Sequence, residues 1–390
     1  MIDQSKVFAE RPPRRAFLKA AGLTGAAALV ASCAPAATPP PTAPAGATKP
    51  AWESEWDTTL VAAKQEGKVV VATLTGVGYR RVTEAFEAAY PGITVEHAGF
   101  LGGQFLPKIL AERQAGIYGW DAIVEGVNIT LISGGLRENG ALDPVRLALI
   151  RPDVTEDKNW HGGFEAGWQD KDKKWGYGFI YDVGGKNIWT NTDLVKEGEV
   201  KSIRDLLDPR WKGKMIFVDP RTSGTTYFPF TAVRLNVGNE IMKQIFVDQQ
   251  PAISRDQRQI VESLIRGRYA IGTGVQAPVL AEFKALGLGG NLKQADIPEM
   301  LYESNGFATY LINRAPHANA AKLFINWLLS KDGQTAWAKH VENNSRRTDV
   351  PPIDLSKYPE PGKKYVIKLG IEETLPELTK TQEIAKVLLN

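Results

Sequence analysis

A hydroxyl-rich segment in the middle of the chain combines residue types that bind anions. Residues 222–226 (TSGTT) follow the predicted strand 215–218 and begin a predicted helix. Free backbone N–H groups and hydroxyl groups meet at such a helix start, where the helix dipole also favours negative charge. Ser223, Gly224 and Thr225 are therefore candidate anion ligands, although Ser and Thr in this place also serve as plain helix caps.

A second polar loop, near the start of the predicted globular part, runs from a predicted strand into a helix. Thr73, Thr75 and Gly76 belong to it, and we expect this loop to line the ligand site from the opposite side. Gly76 and Gly78 resemble two glycines of a dinucleotide-binding loop. Arg81 stands where the third glycine of that fingerprint would be, which disfavours a nucleotide ligand.

Two more polar turns follow the next predicted strands, at 93–97 and 121–124. The candidate ligands in them are Gly103, Gln104, Glu125 and Asn128. Positions just after strands fit ligand contacts, but ordinary turn chemistry explains the same residue types. Both interpretations stay open for these four residues.

Several arginines flank the predicted loops. They are Arg80, Arg81, Arg221, Arg346 and Arg347. Arginine binds carboxylate, phosphate and sulfonate groups through two parallel hydrogen bonds. Arg221 and Arg346 are therefore candidate contacts to a small organic anion. The alternative is that each is an ordinary solvated residue at the surface.

A cationic solute such as a polyamine is the alternative. Asp182, Asp219 and Glu303 would supply negative charge, and Trp189 or Tyr227 would stack on the cation. Asp182 therefore stands among the candidate site residues beside the anion ligands. The sequence leaves both ligand classes open.

Composition excludes several functions. Cys33 is the only cysteine, so an internal disulfide and a cysteine-bound iron–sulfur cluster are both ruled out. The formal net charge is +3, and residues 1–32 hold five basic and two acidic side chains, which account for the whole excess. The remaining chain is neutral and offers no general basic face for nucleic acid.

Motifs of common enzyme classes are absent from the sequence beyond residue 50. It contains no Walker loop, no HExxH zinc helix and no GxSxG nucleophile elbow. An exported cofactor-dependent enzyme is therefore the weaker alternative. We predict a binding protein with no catalytic residues, no cofactor and no resident metal.

The N-terminus has the features of an export signal. Arg14 and Arg15 precede FLK and an apolar run that ends at Ser32, which resembles a twin-arginine signal peptide over residues 1–32. The run is too short to persist as a transmembrane helix, which takes about 20 apolar residues. Cleavage of the segment is expected.

The sequence VASC at 30–33 resembles a lipobox, so Cys33 is predicted to carry lipid after cleavage. Residues 33–50 are rich in Pro, Ala and Thr and lack the apolar side chains that would form a core. Such a composition favours an extended tether between a membrane and a globular body.

Beyond residue 51 predicted strands and helices alternate, which indicates an α/β fold with mostly parallel sheets. A chain of 390 residues exceeds the size at which a single hydrophobic core keeps growing, so two lobes are expected. An amphipathic helix is predicted at 376–389. The predicted strands are 68–73, 93–97, 121–124, 187–189, 215–218 and 269–271.

Five short motifs occur in an order that resembles one known family. They are EGKVVV at 66–71, PRWKGK at 209–214, TSG at 222–224, APHANAAK at 315–322 and WLLSKDGQ at 327–334. Each is weak alone, but the ordered set is similar to the ferric-iron-binding-protein branch of bacterial extracellular solute-binding proteins. The likeness covers most of residues 56–350.

The resemblance implies a two-lobed periplasmic-binding-protein fold of the second type, with two crossing hinge strands and a ligand cleft between the lobes. It places lobe 1 at 51–182 and 303–345, lobe 2 at 186–300, and a helical segment that packs on the lobes at 346–390. The implied role is to deliver a small solute to the membrane subunits of an ABC importer. A lipid-anchored monomer, with its body in the periplasm or outside the membrane, fits that role.

The resemblance also permits a check for iron ligands. The iron binders of this branch have two consecutive tyrosines just after the strand at 269–271, where this chain has Thr273 to Gln276. Val275 and Gln276 fall on the two tyrosine positions, and the histidine expected near Gly76 is missing. Ferric iron or an iron chelate stays an alternative, but a small organic, phosphorus or sulfur oxyanion is predicted, with Thr273 and Gln276 among its candidate ligands.

Overall fold

The computed structural model describes residues 49–100, 105–126, 135–222 and 224–390. The predicted leader, Cys33 and the tether up to residue 48 lie outside these residues. The helices are α1 Ala51–Glu66, α2 Val77–Ala89, α3 Phe105–Gln114, α4 Pro152–Thr155, α5 Gly224–Val237, α6 Glu240–Lys243, α7 Gln257–Ile265, α8 Ala277–Ala285, α9 Ala318–Leu329, α10 Lys331–Val341 and α11 Leu375–Leu388. The strands are β1 Lys68–Leu74, β2 Thr94–Phe100, β3 Ala122–Glu125, β4 Leu142–Asp143, β5 Gly176–Gly178, β6 Asp182–Gly184, β7 Ile188–Asn191, β8 Met215–Val218, β9 Ala252–Ser254, β10 Ile271–Gly272, β11 Leu292–Ala295, β12 Tyr302–Ser304, β13 Ala308–Ile312 and β14 Lys368–Leu369.

Lobe 1 is built on a sheet with the strand order β2-β1-β3-β13-β4, and β5 also pairs with β13. β1 runs parallel to β2 and to β3, with Ala72 opposite both Ala98 and Ile123. β13 runs antiparallel to β3, β4 and β5. The predicted parallel pairing is confirmed for the first three strands, while β13, which returns from the other lobe, enters in the opposite direction.

Lobe 2 has a second sheet, with the order β11-β7-β10-β8-β9. β8 is parallel to β10 and β9, and β7 is antiparallel to β10 and β11. As in lobe 1, the strand that enters directly after the crossing breaks the parallel pattern. Both sheets are therefore mixed around a parallel centre.

Apolar side chains cover both faces of each sheet. Along β1, Val69 and Val71 join one buried cluster of lobe 1, and Val70 and Ala72 join the other. Side chains of β8 alternate in the same way between the two clusters of lobe 2. A strand buried on both faces needs apolar residues at every position, which explains the uninterrupted run that follows Lys68.

Two strands cross between the lobes. β6 leaves lobe 1 and β12 returns to it, and the two pair antiparallel, with Asp182 opposite Ser304. Gly185, at the exit of β6, has φ +102°, and a Cβ atom there would lie 2.0 Å from the carbonyl oxygen of Met300. Only glycine fits this crossing without displacing the returning chain. The predicted hinge strands are thus confirmed.

Two of the family-like motifs meet in lobe 1. The carboxylate of Glu66, at the end of α1, accepts hydrogen bonds from the backbone N–H of Asn319 at 3.2 Å and of Ala320 at 2.7 Å. These are free N–H groups of the first turn of α9. His317 precedes that helix and is held by Asp121 through its backbone N–H at 2.8 Å. The motifs at 66–71 and 315–322 therefore build the lobe.

The C-terminal segment, predicted as helical, also contributes β14, which pairs in parallel with β12. Glu372 then accepts hydrogen bonds in lobe 1, from Nη2 of Arg137 at 2.9 Å and from the backbone N–H of Lys171 at 3.0 Å. α11 packs on α5 of lobe 2. The segment thus connects the hinge sheet with both lobes.

We expect Thr381→Val to lower the free energy of unfolding by about 1 to 2 kcal/mol. Thr381 is fully buried in α11, and its hydroxyl accepts a hydrogen bond from Nε of Arg234, in α5, at 3.1 Å. Valine has nearly the same shape but leaves that buried donor without this acceptor. Urea unfolding measures the change. Thr379→Val, at an exposed position of α11, is the control, and equal losses in both variants would contradict the assignment.

Within the described ranges, no helix has both the length and the apolar character needed to cross a membrane.

Candidate functional site

Two helices begin at one edge of the lobe 2 sheet. α5 begins at Gly224, after the carboxyl end of β8, and α8 begins at Ala277, after the carboxyl end of β10. Because β8 and β10 are parallel neighbours, their carboxyl ends lie side by side. The positive ends of two helix dipoles and their free N–H groups therefore face the same edge, an arrangement that favours an anion.

Two buried threonines connect the starts of these helices. Oγ1 of Thr226, in the first turn of α5, lies 3.2 Å from Oγ1 of Thr273, which follows β10. Both side chains are fully buried, and Oγ1 of Thr273 also accepts the backbone N–H of Val218 at 3.2 Å. Thr273, a predicted ligand, thus holds the loop in place, and its side chain is not exposed to a solute.

Gln276 is better placed for a solute than Thr273. It directly precedes α8, its side chain is half-buried, and it makes no capping hydrogen bond to the helix. Gly224 and Thr225 are the first two residues of α5, so their backbone N–H groups are among those that a helix start leaves free. Ser223, the remaining predicted ligand of this segment, lies outside the described residues.

Arg221 is engaged within lobe 2. Its Nε and Nη2 donate to the buried carboxylate of Asp219 at 2.8 and 3.0 Å, and Nη1 donates to the carbonyl oxygen of Leu389 at 3.1 Å. Burial raises the pKa of Asp219, but hydrogen bonds from Arg221 and Arg255 outweigh it and bring the pKa down to about 2. The charge of Arg221 is therefore neutralised within lobe 2, and its guanidinium is not free to bind an anion as the sequence predicted.

The lobe 1 edge begins where β1 leads into α2. Thr73 is buried, and its Oγ1 lies 2.7 Å from Nε2 of His97 and 2.7 Å from the carbonyl oxygen of Leu74. Thr75 and Gly76 are exposed at the start of α2. Of the three predicted ligands in this loop, Thr73 is therefore structural, while Thr75 and Gly76 are accessible to a solute.

Glu125 ends β3 at the same edge of lobe 1. Its exposed fraction is 6%, and burial raises the pKa of its carboxyl group from 4.5 to about 7, although the backbone N–H of Gly126 acts to lower it. Among the described residues, no Lys, Arg or His forms an ion pair with it. Gly103, Gln104 and Asn128, the other predicted ligands of this edge, lie outside the described residues.

Asp182 has a structural place in the hinge. Its carboxylate accepts hydrogen bonds from Nδ2 of Asn343 at 3.0 Å and from Nδ2 of Asn344 at 2.8 Å. Burial raises its pKa, and these amide hydrogen bonds act in the opposite direction. The side chain fixes the loop after α10 to β6, which explains a buried carboxylate without any cation in the site.

Arg346 lies inside lobe 1, so the prediction that it contacts an anion is wrong. Its exposed fraction is 1%, and Nη1 donates to the carbonyl oxygens of His161 at 3.0 Å and of Gly163 at 2.9 Å. The ring of Tyr177 lies beside the guanidinium. A Cβ on Gly167 would lie 2.1 Å from Nη2, so the backbone there encloses the group closely. A solute cannot reach this side chain.

Sequence reasoning missed an aromatic cluster at the lobe 1 edge. Tyr79, in the first turn of α2, has its ring centre 5.8 Å from that of Phe307 and 5.7 Å from that of Trp337. Phe307 directly precedes β13 and has φ +43°. The three residues are far apart along the chain, so no local pattern indicated that they would meet.

The two positions at which the resemblance predicts iron-binding tyrosines are Val275 and Gln276. Val275 is buried in an apolar cluster with Val218 and Leu280, and Gln276 precedes α8. In the described ranges, no three His, Cys, Asp or Glu side chains come close enough together to hold a metal ion.

A family model described as bacterial extracellular solute-binding protein matches residues 81–360. An uncharacterised protein of Haemophilus influenzae is 27% identical over 157 residues, which are 38% of this chain and 44% of that protein. The chain therefore aligns with less than half the length of this relative.

Solved structures are similar over almost their whole length. Iron-bound HitA from Pseudomonas aeruginosa is 17% identical, with a TM-score of 0.56, over 83% of this chain and 99% of that one. A Bordetella ferric binding protein is 18% identical, with a TM-score of 0.59, over 82% and 98%. AfuA from Actinobacillus pleuropneumoniae, with fructose-6-phosphate bound, is 21% identical, with a TM-score of 0.55, over 82% and 99%. These likenesses show the two-lobed fold.

Proposed function

Because the chain belongs to the family of bacterial extracellular solute-binding proteins, we propose that it captures a solute bearing an oxyanion between its two lobes. Proteins of this family and fold are exported substrate-binding components of ABC transporters, and they act by binding rather than by catalysis. The captured solute passes to the membrane subunits of an importer. The fold itself does not select the solute, since the similar structures hold iron in one case and a sugar phosphate in another.

The observation that carries this proposal is the meeting of the α5 and α8 starts at one edge of lobe 2. Both helices are long enough to present a dipole there, since α5 covers Gly224–Val237 and α8 covers Ala277–Ala285. Backbone N–H groups at helix starts bind oxyanions without a basic side chain. This agrees with the engagement of Arg221 by Asp219. The proposed anion is a carboxylate, phosphate, phosphonate or sulfonate.

Bare ferric iron is the weaker candidate. Val275 and Gln276 stand where tyrosines would supply phenolate oxygens, and neither side chain replaces a phenolate as an anionic ligand of Fe(III). An iron chelate with its own anionic oxygens would still engage the helix starts. Titration with ferric citrate and with citrate alone separates these two cases.

Isothermal titration calorimetry with inorganic phosphate, sulfate, methylphosphonate, citrate and putrescine tests the proposal. Saturable binding of at least one anion is expected, together with a higher melting temperature in its presence, because a ligand that binds only the folded state stabilises it. Binding of putrescine alone would contradict the proposal, and so would binding of ferric citrate, titrated in parallel, without binding of any of the anions alone.

Gln276→Glu should weaken binding of the anion by about 100-fold or more, because a second negative charge is placed beside it. The same carboxylate lies favourably at the start of α8, so stability should stay equal or rise by a few tenths of a kcal/mol. Gln65→Glu, the same change at an exposed position of α1, is the matched control and should leave binding unchanged. Equal affinity in Gln276→Glu and the control would place the anion elsewhere.

We further propose that the chain leaves the cell by the twin-arginine route, that Cys33 is lipidated, and that the body is a monomer near the membrane. The motifs around Arg14 and Cys33 support this proposal. Metabolic labelling with a fatty acid tests it directly. Absence of label from the mature protein would contradict the proposed lipid anchor.

A further inference from the structure

Glu125 is an acidic group without a countercharge at the edge of lobe 1. Its exposed fraction is only 6%, and no basic side chain of the described residues forms an ion pair with it. The two stretches of neighbouring sequence outside the described residues, 101–104 and 127–134, contain no Lys, Arg or His. The protein itself therefore supplies no nearby cation from these segments. Burial of an unpaired carboxylate in its charged form is costly, so the group either keeps its proton or gains from a cation that arrives from outside.

Two aromatic side chains lie at the same end of the lobe 1 sheet as this carboxylate. Ala308, the register partner of Glu125 in β13, directly follows Phe307. Phe307 is half-buried and packs with Tyr79. Burial, and after it the negative charge of Glu125, raise the pKa of Tyr79 to about 12, so the phenol and the carboxylate lie within electrostatic range of each other. A neutral tyrosine ring within electrostatic range of a carboxylate adds a π-face that attracts an ammonium or guanidinium group.

The two lobes thus present opposite preferences. The edge of lobe 2 has helix starts that favour negative charge, and the edge of lobe 1 has Glu125 with Tyr79 in electrostatic range, which favour positive charge. In a two-lobed binding protein both edges border one cleft. A solute that carries both charges contacts both lobes at once and so stabilises the closed arrangement.

We propose that Glu125 binds a cationic nitrogen of the solute, so that the transported compound is a small zwitterion with its oxyanion at lobe 2 and its ammonium or guanidinium group at lobe 1. This inference rests on the proposed function, because it assigns the second end of the same solute. The cationic group that the sequence offered as an alternative solute is, in this proposal, one end of the zwitterion.

Titration calorimetry with a matched pair of probes tests the proposal. O-phosphoethanolamine carries an ammonium group that ethyl phosphate lacks, and putrescine carries ammonium groups without an anion. Wild-type protein should bind O-phosphoethanolamine at least about tenfold more tightly than ethyl phosphate. Glu125→Gln should lose about 10- to 100-fold in affinity for O-phosphoethanolamine and keep its affinity for ethyl phosphate.

Glu84→Gln, at an exposed position of α2 in the same lobe, is the control and should match wild type with every probe. Equal affinity of wild type for the two phosphates, or no binding of O-phosphoethanolamine, overturns the zwitterion. Binding of putrescine alone, lost in Glu125→Gln, retains the cation site but overturns the oxyanion at lobe 2. The failures of the two proposals are therefore distinct.

Discussion

Arg346→Met should lower the free energy of unfolding by about 3 to 5 kcal/mol, because it removes the donor group from a buried set of carbonyl oxygens. Besides the carbonyls of His161 and Gly163, Nη2 donates to the hydroxyl of Tyr177 at 2.5 Å. Methionine fills a similar volume but offers no N–H group. Urea unfolding monitored by circular dichroism measures the loss.

The control for Arg346→Met is Arg266→Met. The Arg266 side chain is 73% exposed and pairs with Glu262 along α7. Loss of such a pair should cost less than about 0.5 kcal/mol. Where both variants are still folded, the affinity for an anion probe should equal that of wild type. A stable Arg346→Met protein that no longer binds anions would show that Arg346 is an anion ligand after all.

The second large effect is a pH dependence that belongs to Glu125. Burial raises the pKa of its carboxyl group from 4.5, the value expected in the unfolded chain, to about 7 in the fold. The folded state therefore holds the proton over a pH range in which the unfolded state has released it. Stability relative to a variant that cannot ionise is complete below pH 4.5 and is lost as pH rises towards about 7.

Glu125→Gln should accordingly gain about 3 kcal/mol relative to wild type between pH 4.5 and pH 7, and the difference should stay constant above that. Urea unfolding of both proteins across this range, without added solute, gives the difference directly. The other titratable groups near Glu125, the phenols of Tyr79 and Tyr310, stay neutral over this range because burial raises their pKa values. A difference that does not change with pH would show that the carboxylate is solvated or paired.

Much of the fold follows from local sequence patterns. The predicted strand 215–218 coincides with β8, and the predicted C-terminal helix 376–389 lies within one residue of α11 (Leu375–Leu388). Continuous apolar runs identified the strands because both sheet faces are covered. The direction of β13 was not predicted, because it depends on the crossing from the other lobe and not on its own sequence.

The candidate site was harder to predict because the partners of charged residues come from distant parts of the chain. The sequence predicts Arg346 as an anion ligand, whereas its actual partners are the carbonyl oxygens of His161 and Gly163, far away along the chain. The partner of Arg221, Asp219, is only two residues away. An ion pair at this spacing belongs to no regular helix or strand pattern, so the sequence did not indicate it. The sequence indicates Glu125 only by its place after a strand, whereas its burial without a countercharge is what makes it a candidate cation ligand.

Mass spectrometry of the solute released when freshly purified protein is unfolded tests the central claim most directly. We predict one compound in equimolar amount to the protein, detected as a negative ion through a carboxylate, phosphate, phosphonate or sulfonate group. The zwitterion inference adds that this compound reacts with an amine- or guanidine-selective reagent. Release of a polyamine without any anionic group, or of ferric iron without an organic anion, would contradict the oxyanion site at the starts of α5 and α8.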